Sequence, residues 1–305
     1  MMTIGPSAPL PADDLQLSDL VTPTARSEAG VARRERLRLL LRSPSFLIGS
    51  VVILFWVVCA ILGDRITPYH PIFDQTPDLS VPPSTEYWFG TDRLGRDVFS
   101  RVLAGSRDIL LVAPLAVLIS TVLGTALGLI TGYFRGIADD TISRIIDAVL
   151  AIPLIVLAVT VVASLGSRSV WSVTIVIAVV FSPIIARTVR ATVLGEAQLD
   201  YVEAARLRGE RSPYVMFVEV LPNVMPPILV EATIRLGYAI FAVATLTFIG
   251  FGLQPPSADW AVQIADNYPF LDQQWWTVLF PGMAIASLVV AVNLVSDSVQ
   301  QVLER

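Results

Sequence analysis

Six apolar blocks, each close to the length of a bilayer, constrain this 305-residue chain more than any other feature. They run at about Phe46–Leu62, Ile109–Ile130, Ile145–Leu165, Val170–Ala186, Ile228–Ile249 and Val278–Val299. A helix needs roughly 20 apolar residues to cross the hydrocarbon core. Inside that core a helix satisfies every backbone N–H and C=O within its own segment. Hydrophobic residues make up 54% of the chain and charged residues only 15%, against about 25% charged in soluble domains; the mean hydropathy is +0.68. The expectation is an all-α polytopic membrane protein with six transmembrane helices. Pro114, Pro153 and Pro183 fall within spans and predict kinks there.

Residues 1–30 are rich in Pro, Ser, Ala and Asp without periodicity, and predict a disordered tail. Residues 31–63 combine a basic amphipathic stretch with the first span; Arg33, Arg34, Arg36, Arg38 and Arg42 alternate with leucines, as suits an anionic membrane surface. A cleaved signal peptide would start nearer the N-terminus and end in small residues. Residues 64–108 form a long polar segment, and 109–305 hold the other five spans. All basic residues are arginine, 21 of them. With the N-terminus inside, fourteen lie in cytoplasmic segments and six in outer loops, which is the bias of the positive-inside rule. Both termini are then expected on the cytoplasmic side. The net charge of −5 adds little to this.

Between the fourth and fifth spans lies an island of charge, residues 199–223. Residues 199–208 read as one short helix carrying Glu203, Ala204, Ala205, Arg206 and Arg208. Gly209 suits its C-terminal stop, where the left-handed backbone is accessible without a β-carbon. Ser212-Pro213 reads as N-cap and first position of a second helix, and Leu221-Pro222-Asn223 follows. Ala204 and Ala205 offer a small face for close approach by a partner.

Two further motifs stand at the outer ends of spans. Gly90-Thr91-Asp92-Arg93-Leu94-Gly95-Arg96-Asp97 reads as an amphipathic interfacial helix capped by Thr91 or Asp92, with Arg93–Asp97 and Asp97–Arg101 pairs four residues apart. Gly250-Phe251-Gly252-Leu253-Gln254-Pro255-Pro256, with Trp260 beyond, ends the fifth span. Trp275 and Trp276 suit an interfacial aromatic belt.

The Glu-Ala-Ala…Gly pattern with Leu-Pro twelve residues on resembles the coupling loop of bacterial ABC-importer permeases. The other two motifs, with Trp276, Pro281 and Asp297, resemble the second permease subunit of dipeptide, oligopeptide and nickel importers over about residues 44–302. The resemblance implies the type I importer permease fold with one extra N-terminal helix, set in a bacterial cytoplasmic (inner) membrane. It also implies the partners: a homologous second permease, two cytoplasmic ATPases carrying ATP and Mg²⁺, and an extracytoplasmic substrate-binding protein. By the same resemblance Glu203, Ala204, Ala205, Gly209, Leu221 and Pro222 couple to the ATPase. Gly90, Thr91, Asp92, Gly95, Arg96, Asp97, Gly250, Gly252, Gln254, Pro255 and Trp260 shape the outer vestibule or touch the binding protein. Glu219, where relatives usually carry His, departs from the pattern.

Glu231 and Arg235 lie four apart on the fifth span and can neutralise each other; charges within spans are costly and usually functional. Asp297 falls near a cytoplasmic helix end, within reach of water. No phosphate-binding loop, metal-ligand cluster or nucleophile–base pair is present, so the chain is expected to bind no cofactor, to hydrolyse no ATP itself and to bind no nucleic acid. Cys59, the sole cysteine, forms no internal disulfide, and His70 before Pro71 reads as structural. Nickel-chelate or glutathione import on the same fold is the alternative function. A secondary transporter would show inverted repeats, and neither it nor a membrane sensor would need the charged hairpin.

Overall fold

The computed structural model describes residues 38–166 and 169–303, apart from the side chains of Asp64 and Ala138. The expected tail, residues 1–30, lies outside the described residues, as do Arg33, Arg34 and Arg36 of the basic stretch; residues 38–42 are helical. Helix α1 (Pro44–Ile66) starts where Ser43 accepts a hydrogen bond from the Phe46 amide and Pro44 occupies the first turn, a position that needs no proline N–H. Then come α2 (Val98–Tyr133), α3 (Ile137–Leu150), α4 (Leu154–Leu165), α5 (Val170–Glu196) and the short α6 (Asp200–Leu207). A turn at Ser212–Tyr214 and a π-helical segment, Val215–Val220, lead without interruption into α7 (Leu221–Phe248). Helices α8 (Trp260–Asn267) and α9 (Trp276–Leu303) complete the chain. Among the described residues β pairing is limited to one bridge, Thr91–Asp97.

Among the described residues five helical stretches are long and apolar enough to cross a membrane. The third expected span, Ile145–Leu165, is not one helix. It is the pair α3–α4, bent by 95° at Pro153, which cannot donate a backbone hydrogen bond and disfavours helical geometry at Ile152. Packing shows that the pair still crosses. Gly124, Gly128 and Gly132 of α2 lie against Ile185, Val189 and Val193 of α5 in the same order, so the two helices are parallel. The start of α5 is therefore about 35 Å from the end of α2, at 1.5 Å per residue, and α3–α4 must make the return. Six crossings follow, one of them broken.

The α1–α9 and α7–α9 pairs are antiparallel. Ser43 meets Ser298 and Trp56 meets Ser287 between α1 and α9, and Ser296 donates to the Thr233 carbonyl between α9 and α7. Residues 134–136 and 197–220, with the start of α1 and the end of α9, thus gather at one end, here called the hairpin end. Residues 67–97 and 249–275 gather at the far end. One buried cluster centred on Ile109, Val112, Ile177, Ile240, Val243 and Leu288 fills the middle of the bundle and its far end. A second, built on Leu129, Ile185, Val189, Val193, Val220 and Val224, fills the hairpin end.

Candidate functional site

At the hairpin end α6 buries Val202 and Ala205 completely, against Val193, Val215 and Val220. Its opposite face exposes Glu203, Ala204, Arg206, Arg208 and Gly209, with Leu207 83% exposed at the tip. Ala205 is therefore not part of a face open to a partner, as its neighbour Ala204 is; with a helical period of 3.6 the two point about 100° apart. Gly209 has φ +79°. Its N–H donates to the Arg206 carbonyl at 3.0 Å and that of Glu210 to the Ala205 carbonyl at 3.3 Å, the paired bonds of a Schellman stop. The second helix starts one residue earlier than expected: Arg211 is its N-cap, without a side-chain bond, and Pro213 follows Ser212 in the first turn. Leu221 is half-buried and Pro222 exposed, at the point where the π-helical segment gives way to α7.

Tyr201 ties this hairpin to the spans. Its hydroxyl donates to Glu196 Oε1 at 2.6 Å, at the end of α5, and accepts from Asn223 Nδ2 at 2.9 Å, at the start of α7. Asn223 also donates to the Glu219 carbonyl at 2.8 Å. Burial, then the Glu196 carboxylate, push the Tyr201 hydroxyl up to about 12. It stays protonated and keeps donating. Arg206 stacks on Tyr133 with its guanidinium carbon 4.7 Å from the ring centre, and Arg208 pairs with Glu210 and Glu219 at 3.4 and 3.6 Å. Tyr133, Arg135, Gln198, Glu203, Arg206 and Leu207 line an open groove of about 820 Å³ beside α6. Tyr133, Glu196 and Tyr201 carry no motif signal individually; a tyrosine beside glutamates at the edge of an apolar block is the only trace of them in the sequence.

At the far end the expected helix over residues 91–97 is absent. Gly90 and Gly95 take φ +76° and +74°, and Asp92 accepts from the Leu94 and Arg96 amides, both at 2.9 Å. A short acidic side chain that satisfies local N–H groups competes with the helix in this way. The ion pair formed is Asp92–Arg96 at 2.6 Å, not Arg93–Asp97. Asp97 is the N-cap of α2, accepting from the Ser100 amide and hydroxyl at 2.8 and 2.6 Å. Arg101 does not pair with it, but spans from the Pro71 carbonyl to the Ser257 carbonyl, both at 3.0 Å.

These bonds join the two far-end motifs into one cap. Trp260, fully buried, donates to the Val102 carbonyl at 2.7 Å and packs edge-on to Trp56. Trp276 donates to the Thr91 carbonyl at 3.0 Å and is 5% exposed. It is a cap residue and not part of an interfacial belt; Trp275 remains half-exposed. Gly250 at φ +83° ends α7 with the same paired bonds as Gly209, to Thr247 and Leu246. Gly252 sits against Thr247 where a β-carbon would collide, Gln254 donates to the Gly250 and Gly252 carbonyls at 3.1 and 3.3 Å, and Pro255 is exposed. Thr91, Asp92, Arg96, Asp97 and Trp260 are buried, so their side chains build the cap from within. Its surface is presented by Phe73, Leu79, Trp88 and Leu94. Asp259 caps α8 through Oδ1, from the Ala261 and Val262 amides at 2.9 and 3.2 Å. Its buried Oδ2 has no partner. Burial raises this carboxyl to about 7, against the two amides and Arg101.

Within the spans, Arg235 Nε meets Glu231 Oε1 at 2.6 Å and the guanidinium lies 5.3 Å from the Tyr238 ring centre. The pair forms as its four-residue spacing implies. A groove of about 510 Å³ runs beside it between α7 and α9, lined by Tyr238, Phe241, Asn293, Ser296 and Asp297. Asn293 and Asp297 are exposed in it. The exposed face of α1, by contrast, is Leu47, Ile48, Val51, Leu54, Phe55, Val58 and Ile61.

A family model described as the binding-protein-dependent transport system inner membrane component matches residues 124–305. Another, the N-terminal TM domain of oligopeptide transport permease C, matches residues 33–83. The chain is 35% identical to a dipeptide transport system permease protein of Alkalihalophilus pseudofirmus, over 100% of this chain and 96% of the relative. It is 38% identical to a di/tripeptide transport system permease protein of Pseudomonas aeruginosa, covering 84% and 86%. A glutathione transport system permease protein of Pectobacterium atrosepticum is 35% identical, covering 89% and 90%. Among solved structures, an inward-facing conformation of the MetNI methionine ABC transporter shares the fold. The TM-score is 0.55 at 20% identity, over 67% of this chain and 97% of that one.

Proposed function

The chain belongs to the family of binding-protein-dependent transport system inner membrane components, and from that premise we propose that it is the permease subunit of an ATP-driven importer of di- and oligopeptides. It forms half of a translocation path with a homologous second permease. The hairpin end faces the cytoplasm, as the arginine distribution requires, and there two ATPase subunits supply ATP and Mg²⁺ chemistry. The observation that carries the reading is α6 itself. One face is sealed into the bundle, the other presents a charged rim around exposed Leu207, and Tyr201 bonds it to both α5 and α7. A push on α6 is transmitted to two spans as a rigid-body displacement, because a hydrogen-bonded, close-packed junction has no slack to absorb it. Ala205 supports this surface from beneath, while Glu203, Ala204 and Leu207 meet the ATPase beside the 820 Å³ groove.

The far-end cap faces the substrate-binding protein through Phe73, Leu79 and Trp88, held by the buried Asp92–Arg96 and Trp260 framework. The α7–α9 groove faces the path or the second permease. An exposed Asn293 amide and the Glu231–Arg235 pair suit water or a polar partner, and hydrocarbon would leave the amide unsatisfied at a cost of several kcal/mol. The names of the relatives favour short peptides, and one of them carries glutathione instead. Uptake of a radiolabelled dipeptide in cells relying on this importer tests the reading, with unlabelled tripeptide and glutathione as competitors. Competition by peptides and not by glutathione is expected. Uptake that persists after deletion of this gene, or is blocked by glutathione alone, overturns the peptide assignment.

A further inference from the structure

Arg107 stands apart from every charge network described above. It is exposed on α2, and among the described side chains, which do not include that of Asp64, no carboxylate lies within ion-pair distance of it. Its neighbour Asp108 is turned to the Ser257 hydroxyl, at 2.9 Å. Among the described side chains Arg107 is also the one charged group lining a cleft of about 400 Å³ between α1, α2, α7 and α9. The walls are otherwise aliphatic, including Val57, Ile61, Leu110, Leu111 and Leu236.

Depth identifies what can fill it. Gly63 of α1 lies against Ala104 of α2, so Arg107 sits about six residues, or ~9 Å, below the far end of α1. An arginine at that depth extends its head towards the lipid phosphates while its stem stays in hydrocarbon. A monoanion with a long aliphatic tail matches both parts of the site, cation above and apolar cleft below. We propose that the cleft holds one glycerophospholipid of the far-end leaflet, its phosphodiester on the Arg107 guanidinium and one acyl chain between α1 and α2. The site wedges a lipid beside the junction of the additional N-terminal helix with the five-helix core. It is independent of what the importer carries.

Native mass spectrometry tests it. The full-length protein, purified in mild detergent with its associated subunits, is incubated with 1-palmitoyl-2-oleoyl-phosphatidylglycerol. Wild type should retain one lipid per copy. Arg107→Gln should lower that occupancy at least fivefold, Arg107→Lys should keep most of it, and Ala60→Phe, which fills the cleft and leaves the cation, should lower it as much as the glutamine variant. Wild-type occupancy in Arg107→Gln or in Ala60→Phe overturns the proposal. Should the glutamine variant fail to assemble, the lysine and phenylalanine variants decide alone.

Discussion

One backbone position closes the hairpin. Gly209 needs φ +79° yet has open space where a β-carbon would stand, so substitution there costs conformation and not collision. A left-handed non-glycine residue costs about 1–2 kcal/mol, least for Asn and most for β-branched side chains. Uptake and ATPase copurification should therefore fall in the order Gly, Asn, Ala, Val, with membrane abundance unchanged; wild-type behaviour in Gly209→Val would remove the hairpin from the coupling route. Glu231 and Arg235 make a different kind of pair, mostly shielded from solvent, with side chains 12% and 19% exposed. Losing one partner strands a charge, at roughly 3 kcal/mol or more. Glu231→Gln and Arg235→Gln should each cut the yield of folded protein, and the double variant should recover part of it. Transport by the recovered double variant then separates a structural pair from one on the path. Asp259 bears on pH. Its carboxyl rises from 3.8 to about 7 on folding, so the protonated form favours the folded cap: the contribution is full below pH 3.8 and is lost as pH climbs through 7. Melting temperature should fall between pH 5 and 8, and Asp259→Asn should flatten that slope.

Helices α2 and α5 meet through Gly124, Gly128 and Gly132, spaced four apart so that one helical face carries all three. A β-carbon at Gly128 would stand 2.6 Å from Val189 Cβ. Small residues at this period let membrane helices approach backbone to backbone. Gly128→Ala should cost about 1–3 kcal/mol by overpacking, and Gly128→Leu should abolish the folded protein; size-exclusion yield after detergent extraction reads both. The ladder is legible in the sequence as Gly-x-x-x-Gly-x-x-x-Gly within an apolar block, but its partner is not, since α5 shows no matching pattern. The kink at Pro153 was expected from residue type. Its consequence, a 95° bend that splits one span in two, depends on what surrounds the break.

For the whole molecule, the antiparallel and parallel contacts place α6 and the start of α1 at one end and the cap at the other. With Cys59→Ser as background, a membrane-impermeant maleimide applied to intact spheroplasts should label Thr85→Cys and spare Leu207→Cys. The reverse pattern would invert the topology. Deleting residues 2–30 removes no span and no motif, and uptake at unchanged abundance is the expected result.

Span number, the hairpin stop at Gly209 and the Glu231–Arg235 pair were legible in the sequence because each depends on local terms: apolar length, glycine geometry and a four-residue helical spacing. The far-end cap was not. Whether Arg101 pairs with Asp97 or spans the Pro71 and Ser257 carbonyls, whether Ala205 faces a partner or the core, and whether Trp276 lies in a belt or against Thr91 are contests between residues far apart in the chain. The four-residue charge spacing suggests a helix over residues 91–97, but buried polar groups must all be satisfied at once. Only the tertiary structure, by bringing Pro71, Arg101, Ser257 and Trp260 together, decides which of them are.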